Sequence, residues 1–232
     1  MKTTKIDWCD CTINPVVGCK NGCPYCYAER LNKRFGFIHN WKDPQFFPER
    51  LDQLNSKTPK TIFMDSMSDV GHWNKEWGEV IREAILNNPQ HAYIFLTKNT
   101  IFGSVIQPIR LEPNIFCGSS ITKQSDLWHF GGEGYDFLSI EPLLEKIDLP
   151  DFSAKRAMAT LKAVIVGAET GNRKGKVIPK KEWVLSIVKY CNRRHIRVFM
   201  KESLKEIMGD DFRQDILPWY EHTRRNEDES RQ

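Results

Sequence analysis

The stretch AVIVGAE, residues 163–169, decides the fold. An unbroken apolar run, Ala163 to Val166, leads through a glycine straight to a carboxylate, Glu169. A run this short with no polar alternation reads as a strand of a parallel sheet, buried on both faces. The same phrase recurs as TIFMD (61–65), AYIFLT (92–97), IFCGSS (115–120), FLSIE (137–141) and RVFMKE (197–202). Helical patterns separate some of these runs. EWGEVIREAILNN (76–88) places Trp77, Val80, Ile81, Ala84 and Ile85 on one face, and Pro89 follows its end. KKEWVLSIVKYCNRR (180–194) does the same with Trp183, Val184, Ile187, Val188 and Cys191. With a first strand near CTINPVV (11–17), the chain reads as about seven βα units, an α/β fold.

Alternation alone does not separate a (β/α) barrel from an open doubly wound sheet. No G-x-G-x-x-G follows the first strand, which weakens the dinucleotide-binding form of the open sheet. The strand ends favour a partial or full barrel of about seven parallel strands. Asp65-Ser66, Thr97-Lys98, Ser119-Ser120, Glu141, Glu169 and Lys201-Glu202 all follow apolar runs. In a barrel such ends converge on the mouth, where active sites sit. Polar loop beginnings account for serines, but account less well for Glu141, Glu169 and Lys201.

With 232 residues, 40% hydrophobic and 28% charged, the chain fits one soluble domain, expected over 1–220. Residues 221–232, EHTRRNEDESRQ, carry no apolar side chain and read as a disordered polar tail. No run approaches the roughly 18 apolar residues of a membrane helix. MKTTKIDWCDC lacks a signal-peptide core, so a cytoplasmic protein without a membrane partner is expected. The net charge of +4 permits a nucleic-acid partner without requiring one.

Seven cysteines, unsuited to a disulfide frame in such a chain, include a cluster in GCKNGCPYCYAER (18–30). Cys19, Cys23 and Cys26 are spaced C-x3-C-x2-C. Structural zinc takes four ligands, and Cys9 or Cys11 would have to complete that set. Three thiolates instead suit a [4Fe–4S] cube with one iron left open to a ligand. Tyr25 stands one residue before the last cysteine, where its ring can cover a planar group. Cys117, inside an apolar run, and Cys191, on a helix's apolar face, read as packing residues.

This cysteine pattern after a first strand resembles the radical S-adenosylmethionine (SAM) superfamily. More narrowly, IDWCDCTINPVVGC, GCPYCYAER, IFMDSMSDV, FLTKN, LSIEPLL, VIVGAETG and VFMKESL resemble, in order, an uncharacterised radical-SAM-like family first catalogued in phages. The likeness spans about residues 6–205. It implies a barrel of the radical SAM type, a [4Fe–4S] cluster on Cys19, Cys23 and Cys26, and S-adenosylmethionine as second cofactor. It implies no substrate.

On this resemblance SAM would chelate the open iron, and a low-potential electron would cleave its sulfonium to a 5′-deoxyadenosyl radical that takes hydrogen from carbon. Asp65, Ser66 and Ser68 are expected at the amino group. Ser119, Ser120 and Glu141 are expected at ribose or carboxylate, and Lys98 or Lys201 at an anionic group. Ile165 and Gly167 offer a backbone edge beside adenine. A reducing partner such as flavodoxin or ferredoxin would supply the electron.

The chain departs from the pattern in two places. Cys9 and Cys11 stand where other residues are expected. The glycine-rich motif expected after the second strand reads Asp65-Ser66-Met67, while a literal Gly131-Gly132-Glu133 lies between the fourth and fifth strands and reads as a decoy. NRKGKVIPKK (172–181) and NRRHIR (192–197) offer basic groups to a phosphate backbone, although a solvated loop and helix end explain them equally. Nucleic acid therefore stands as one candidate substrate. The alternatives are a non-catalytic zinc-binding module that binds nucleic acid, and an iron–sulfur protein that only transfers electrons.

Overall fold

Six of the apolar runs become strands within three residues of their expected limits. The computed structural model describes residues 4–99, 105, 108, 110, 112–131, 134–150 and 161–229. The expected decoy at Gly131-Gly132-Glu133 falls largely outside them. Seven strands form one sheet, and with the flanking helices they make an α/β fold. The chain divides into two compact units, residues 1–117 with 219–232, and residues 118–218.

In the first unit the elements are β1 (Cys11–Thr12), β2 (Val16–Val17), α1 (Tyr27–Phe35), β3 (Gln45–Phe46), β4 (Thr61–Phe63), α2 (Lys75–Leu86) and β5 (Ala92–Thr97). β1, β4 and β5 lie parallel, with Cys11 opposite Ile62 and Thr61 opposite Ala92. The expected single strand 11–17 is two. Pro15 has no N–H to give a ladder, and beyond it β2 turns away to pair antiparallel with β3. The Asn74 side chain accepts the Trp77 N–H at 2.9 Å and starts α2. Ile81 and Ile85 are buried as expected, whereas Val80 is exposed. The core holds Trp8 against Phe63 and Trp219, and Phe116 also packs edge-on against Trp219. Burying each such ring contributes about 1.5–3 kcal/mol.

In the second unit β6 (Ile115–Ile121, from Gly118 onward), β7 (Phe137–Ile140), β8 (Ala163–Val166) and β9 (Arg197–Met200) pair in parallel. Between β8 and β9 runs α3 (Lys181–Arg193), burying Val184, Ile187, Tyr190 and Cys191. Gly118 is required by contact: a Cβ there would lie 2.3 Å from the Phe137 ring. After β9 come the short α4 (Lys205–Met208) and α5 (Pro218–Glu229).

The polar tail expected from 221 is therefore helical as far as 229. Pro218 suits a first helical turn, and buried Trp219 and Thr223, four residues apart, tie one face of α5 to the first unit. No helix among the described residues is long and apolar enough to cross a membrane.

Candidate functional site

The cysteine loop runs from β2 to α1, and each part of it is tied to the chain around it. Gly18 takes a φ of +113°, and a Cβ there would lie 2.8 Å from the Pro44 backbone, so glycine alone fits at the loop's entrance. Its N–H donates to Met67 O at 2.9 Å, and the Cys19 N–H to Trp41 O at 2.8 Å. Cys19, Cys23 and Cys26 are all half-buried, with free thiols. The Cys26 Sγ accepts the Glu29 N–H at 3.3 Å and so caps α1. Packing partners of Cys19 and Cys26 include Val17, Ala28, Ile38 and Trp41.

Burial pushes the Cys19 thiol up to about 12, with Asp69, Cys23 and Cys26 adding to the rise. Burial likewise raises Cys26. Both therefore stay protonated at neutral pH unless a cation compensates, and a metal centre supplies that compensation by displacing the proton. Among the described residues no set of three His, Cys, Asp or Glu side chains closes on the position of a single ion. Cys9 and Cys11, the other possible ligands, are buried, and Cys11 sits in β1 with its thiol raised to about 11 by burial.

Asp69 fastens the loop to the sheet. Its carboxylate is 3% exposed and accepts from Asn21 Nδ2 (2.7 Å), Thr97 Oγ1 (2.6 Å), Gly71 N–H (2.9 Å) and Lys98 N–H (2.9 Å). Asn21 lies between the first two cysteines, and Asn99 Nδ2 donates to its Oδ1 at 3.2 Å. On the same side His72 Nδ1 accepts the Lys20 N–H at 3.3 Å and lies 3.8 Å from Cys19 Sγ. Loop, β4 end and β5 end thus form one polar network.

Several expected contacts in this unit are committed to structure. Asp65 is 2% exposed, and its carboxylate accepts from the Leu96 and Val70 N–H groups. Burial, with Asp69 nearby, raises its pKa well above the usual carboxylate range. Ser66 Oγ donates to Asn14 Oδ1 at 2.9 Å, and Ser68 Oγ accepts from Trp73 Nε1 at 3.0 Å. Lys98 stands with its Nζ 5.5 Å from the centre of the Tyr25 ring, which brings two expected residues together beside the cysteines.

The second unit carries its own group of expected residues. Ser120, Ser139 and Ile165 are register partners across β6, β7 and β8, so their side chains share a face. Two residues further along β7, β8 and β9, on that face, come Glu141, Gly167 and Lys201. Lys201 Nζ donates to Glu141 Oε1 at 2.5 Å, and a Cβ on Gly167 would lie 2.9 Å from Lys201 Cδ and 3.2 Å from Glu141 Cγ. Ser119, in register with Leu138, points to the opposite face and stands apart from this set. The Ser139 Oγ is buried with no hydrogen-bond partner. Glu169 is bound by Arg173 through two bonds of 2.6 and 2.7 Å, so this carboxylate and the one arginine of the 172–181 stretch neutralise each other.

Asn14, Asn21, Asp69, His72 and Asn99 were not singled out from sequence. Asp69 carries a signal in the sequence, since IFMDSMSDV offers two aspartates, Asp65 and Asp69.

An α/β fold with a three-cysteine loop anchored at the C-terminal ends of parallel strands defines the class of this protein. The chain belongs to the family described as a protein of unknown function, DUF5131, whose model matches residues 3–206. No curated protein and no solved structure matches the chain.

Proposed function

We propose that the protein is a radical SAM enzyme, a partial barrel of that type with a [4Fe–4S] cluster on Cys19, Cys23 and Cys26. The observation that carries this is the loop: three half-buried thiols outside any disulfide, Cys26 among them capping α1, on a loop that Asn21 and Asp69 tie to the strand ends. When bound, such a cluster supplies an open iron and the low-potential electron that cleaves SAM to a 5′-deoxyadenosyl radical for hydrogen abstraction from a substrate carbon.

The chain's own residues would do the rest. Asn21 and Asp69 fix the loop's position against the strand ends. Tyr25, with Lys98 against its ring, presents an aromatic face beside the last ligand. The Ser66 and Ser68 hydroxyls, each already holding one partner, retain capacity for a ligand amine. Asp65 acts behind them as a positioning residue, since its oxygens are taken by backbone. In the second unit Ser120, Glu141, Ile165, Gly167 and Lys201 supply the hydroxyl, carboxylate, amine and backbone groups that the resemblance assigns to ribose, carboxylate and adenine. The unpartnered Ser139 hydroxyl on that face adds a buried group for a ligand to satisfy. Nucleic acid remains the candidate substrate for the basic groups of 174–181 and 192–197.

One observation favours a second reading. Cys19 Sγ and His72 Nδ1, 3.8 Å apart, have the separation of two ligands on one ion, which suits a zinc-binding module. Anaerobic reconstitution with iron and sulfide, reduction by dithionite and assay for 5′-deoxyadenosine separates the two. Cysteine-dependent product is expected. Stoichiometric zinc, lost in His72→Ala, with no product would sink the radical SAM reading. A cluster that cycles between redox states yet yields no product would leave an electron carrier.

A further inference from the structure

We propose that the exposed face of α1, extended by Phe37, is the docking surface for an acidic electron-carrier protein, a low-potential flavoprotein or ferredoxin; this rests on the reading above. Of the nine residues of α1 only Ala28 and Asn32 are buried. Tyr27, Leu31 and Phe35, spaced by four, stay 37–56% exposed, and Phe37 follows at 45%. Four of the nine exposed large apolar side chains among the described residues thus fall within eleven positions. A contiguous apolar stripe rimmed by polar groups marks an interaction surface, whereas scattered single residues do not.

Three features select the occupant. The first is position. α1 begins at Cys26, whose Sγ caps it, and at 1.5 Å per residue Phe35 lies only about 14 Å along the axis from that ligand. The Tyr27 hydroxyl donates to Ser66 O at 2.8 Å, which pins the near end of the stripe to the β4 strand end. Electrons delivered to this helix arrive beside the cluster.

The second is charge. Arg30, Lys33 and Arg34 interleave with the stripe, against the single carboxylate of Glu29, itself paired with Lys33 at 2.9 Å. The helix carries a net charge of +2, three cations less one anion, and steers an acidic partner.

The third is size. About two helical turns cannot supply the roughly 1,600 Å² of a stable protein pair, but they match the transient redox encounters at the small end of interface areas. Base stacking is disfavoured because the Phe35 ring already holds the Arg34 guanidinium at 5.0 Å and the Phe37 ring at 5.9 Å.

The electron balance is one for one. The reduced carrier gives up one electron and leaves oxidised by one, and the cluster on the three cysteines takes it, its net charge falling by one. No proton or further co-reactant is needed for this transfer.

The test uses full-length reconstituted protein with reduced flavodoxin as carrier, and compares wild type with Lys33→Glu/Arg34→Glu and with Phe35→Ser. Stopped-flow absorbance follows cluster reduction by flavodoxin and, separately, by dithionite; calorimetry measures flavodoxin affinity. Both variants are expected to slow flavodoxin-driven reduction and weaken binding about tenfold or more, with iron content and dithionite-driven reduction unchanged. Wild-type binding is expected to weaken as salt rises. Unchanged flavodoxin kinetics in both variants overturns the docking site while the enzymatic reading stands. Absence of a dithionite-reducible cluster overturns the enzymatic reading and the docking site with it, and iron content identifies that case. Binding of single-stranded DNA or self-association, lost in the variants in place of flavodoxin binding, assigns the face to another occupant and also overturns the proposal.

Discussion

Asp69 shows how much one buried side chain can hold. It accepts four hydrogen bonds from three segments, the cysteine loop, the turn after β4 and the end of β5. Asp69→Asn keeps the volume but turns an NH2 group toward donors that need an acceptor. It also removes the negative charge that helps raise Asp65, which offsets part of the loss. Because a buried donor left unpaired costs about 1–3 kcal/mol, the lost acceptor outweighs the relief. Urea denaturation is expected to show a net destabilisation of about 1–2 kcal/mol. Iron incorporation into the variant is expected to fall below wild type. Sequence made Asp65 visible because it ends an apolar run. Asp69 stayed hidden because its partners, Asn21 and Thr97, lie 48 and 28 positions away. Reading strand ends finds polar residues at the right depth, but it does not say which of them are already spent on backbone.

At the scale of elements, apolar runs located the strands well because a strand buried on both faces leaves an unbroken signature. Where one face is open, the reading was less sharp. Val80 matched the helical period of α2 yet is exposed, while Gly78, with no side chain to count, faces Val105. The helix α5 was hidden because its large apolar anchor, Trp219, precedes the polar stretch, and its other buried residue, Thr223, is polar. Packing between strands also sets limits that composition conceals. Gly118 admits the Phe137 ring, and Gly118→Ala is expected to cost about 1–3 kcal/mol through overpacking. Adding Phe137→Leu should recover part of that loss in a double-mutant cycle, since the nearest clashes are all with the ring. Additivity of the two changes would show that the strain lies elsewhere. The row of Glu141, Gly167 and Lys201 was legible residue by residue, but only the register shows that Ser119 faces away from it.

For the molecule as a whole, stability should depend on pH through His91. This ring is buried, its Nδ1 accepting the Lys60 N–H at 3.1 Å and its Nε2–H donating to Leu54 O at 2.9 Å. Burial lowers its pKa below the ordinary 6.5, so the unfolded chain takes up the proton first. The neutral ring's contribution is present above about pH 6.5 and is lost as pH falls from there through the folded pKa, by at most about 1.4 kcal/mol per pH unit. Asp65 has the opposite sign. Its raised pKa favours the folded state at low pH and loses that advantage as pH rises through the folded value. Thermal melts of wild type and His91→Gln between pH 5 and 8 are expected to converge as pH falls, because only the wild type loses this increment. Parallel curves would remove His91 from the balance.

The indole N–H of Trp219 donates to Trp8 O at 2.8 Å, across 211 positions of sequence, within the core of the first unit. A chain made from its N-terminus onward presents Trp8 long before Trp219. The second unit, residues 118–218, is complete before that bond can form. Until Trp219 is made the growing chain therefore carries an open aromatic seam, Trp8 and Phe63 awaiting their partner, and α5 closes it.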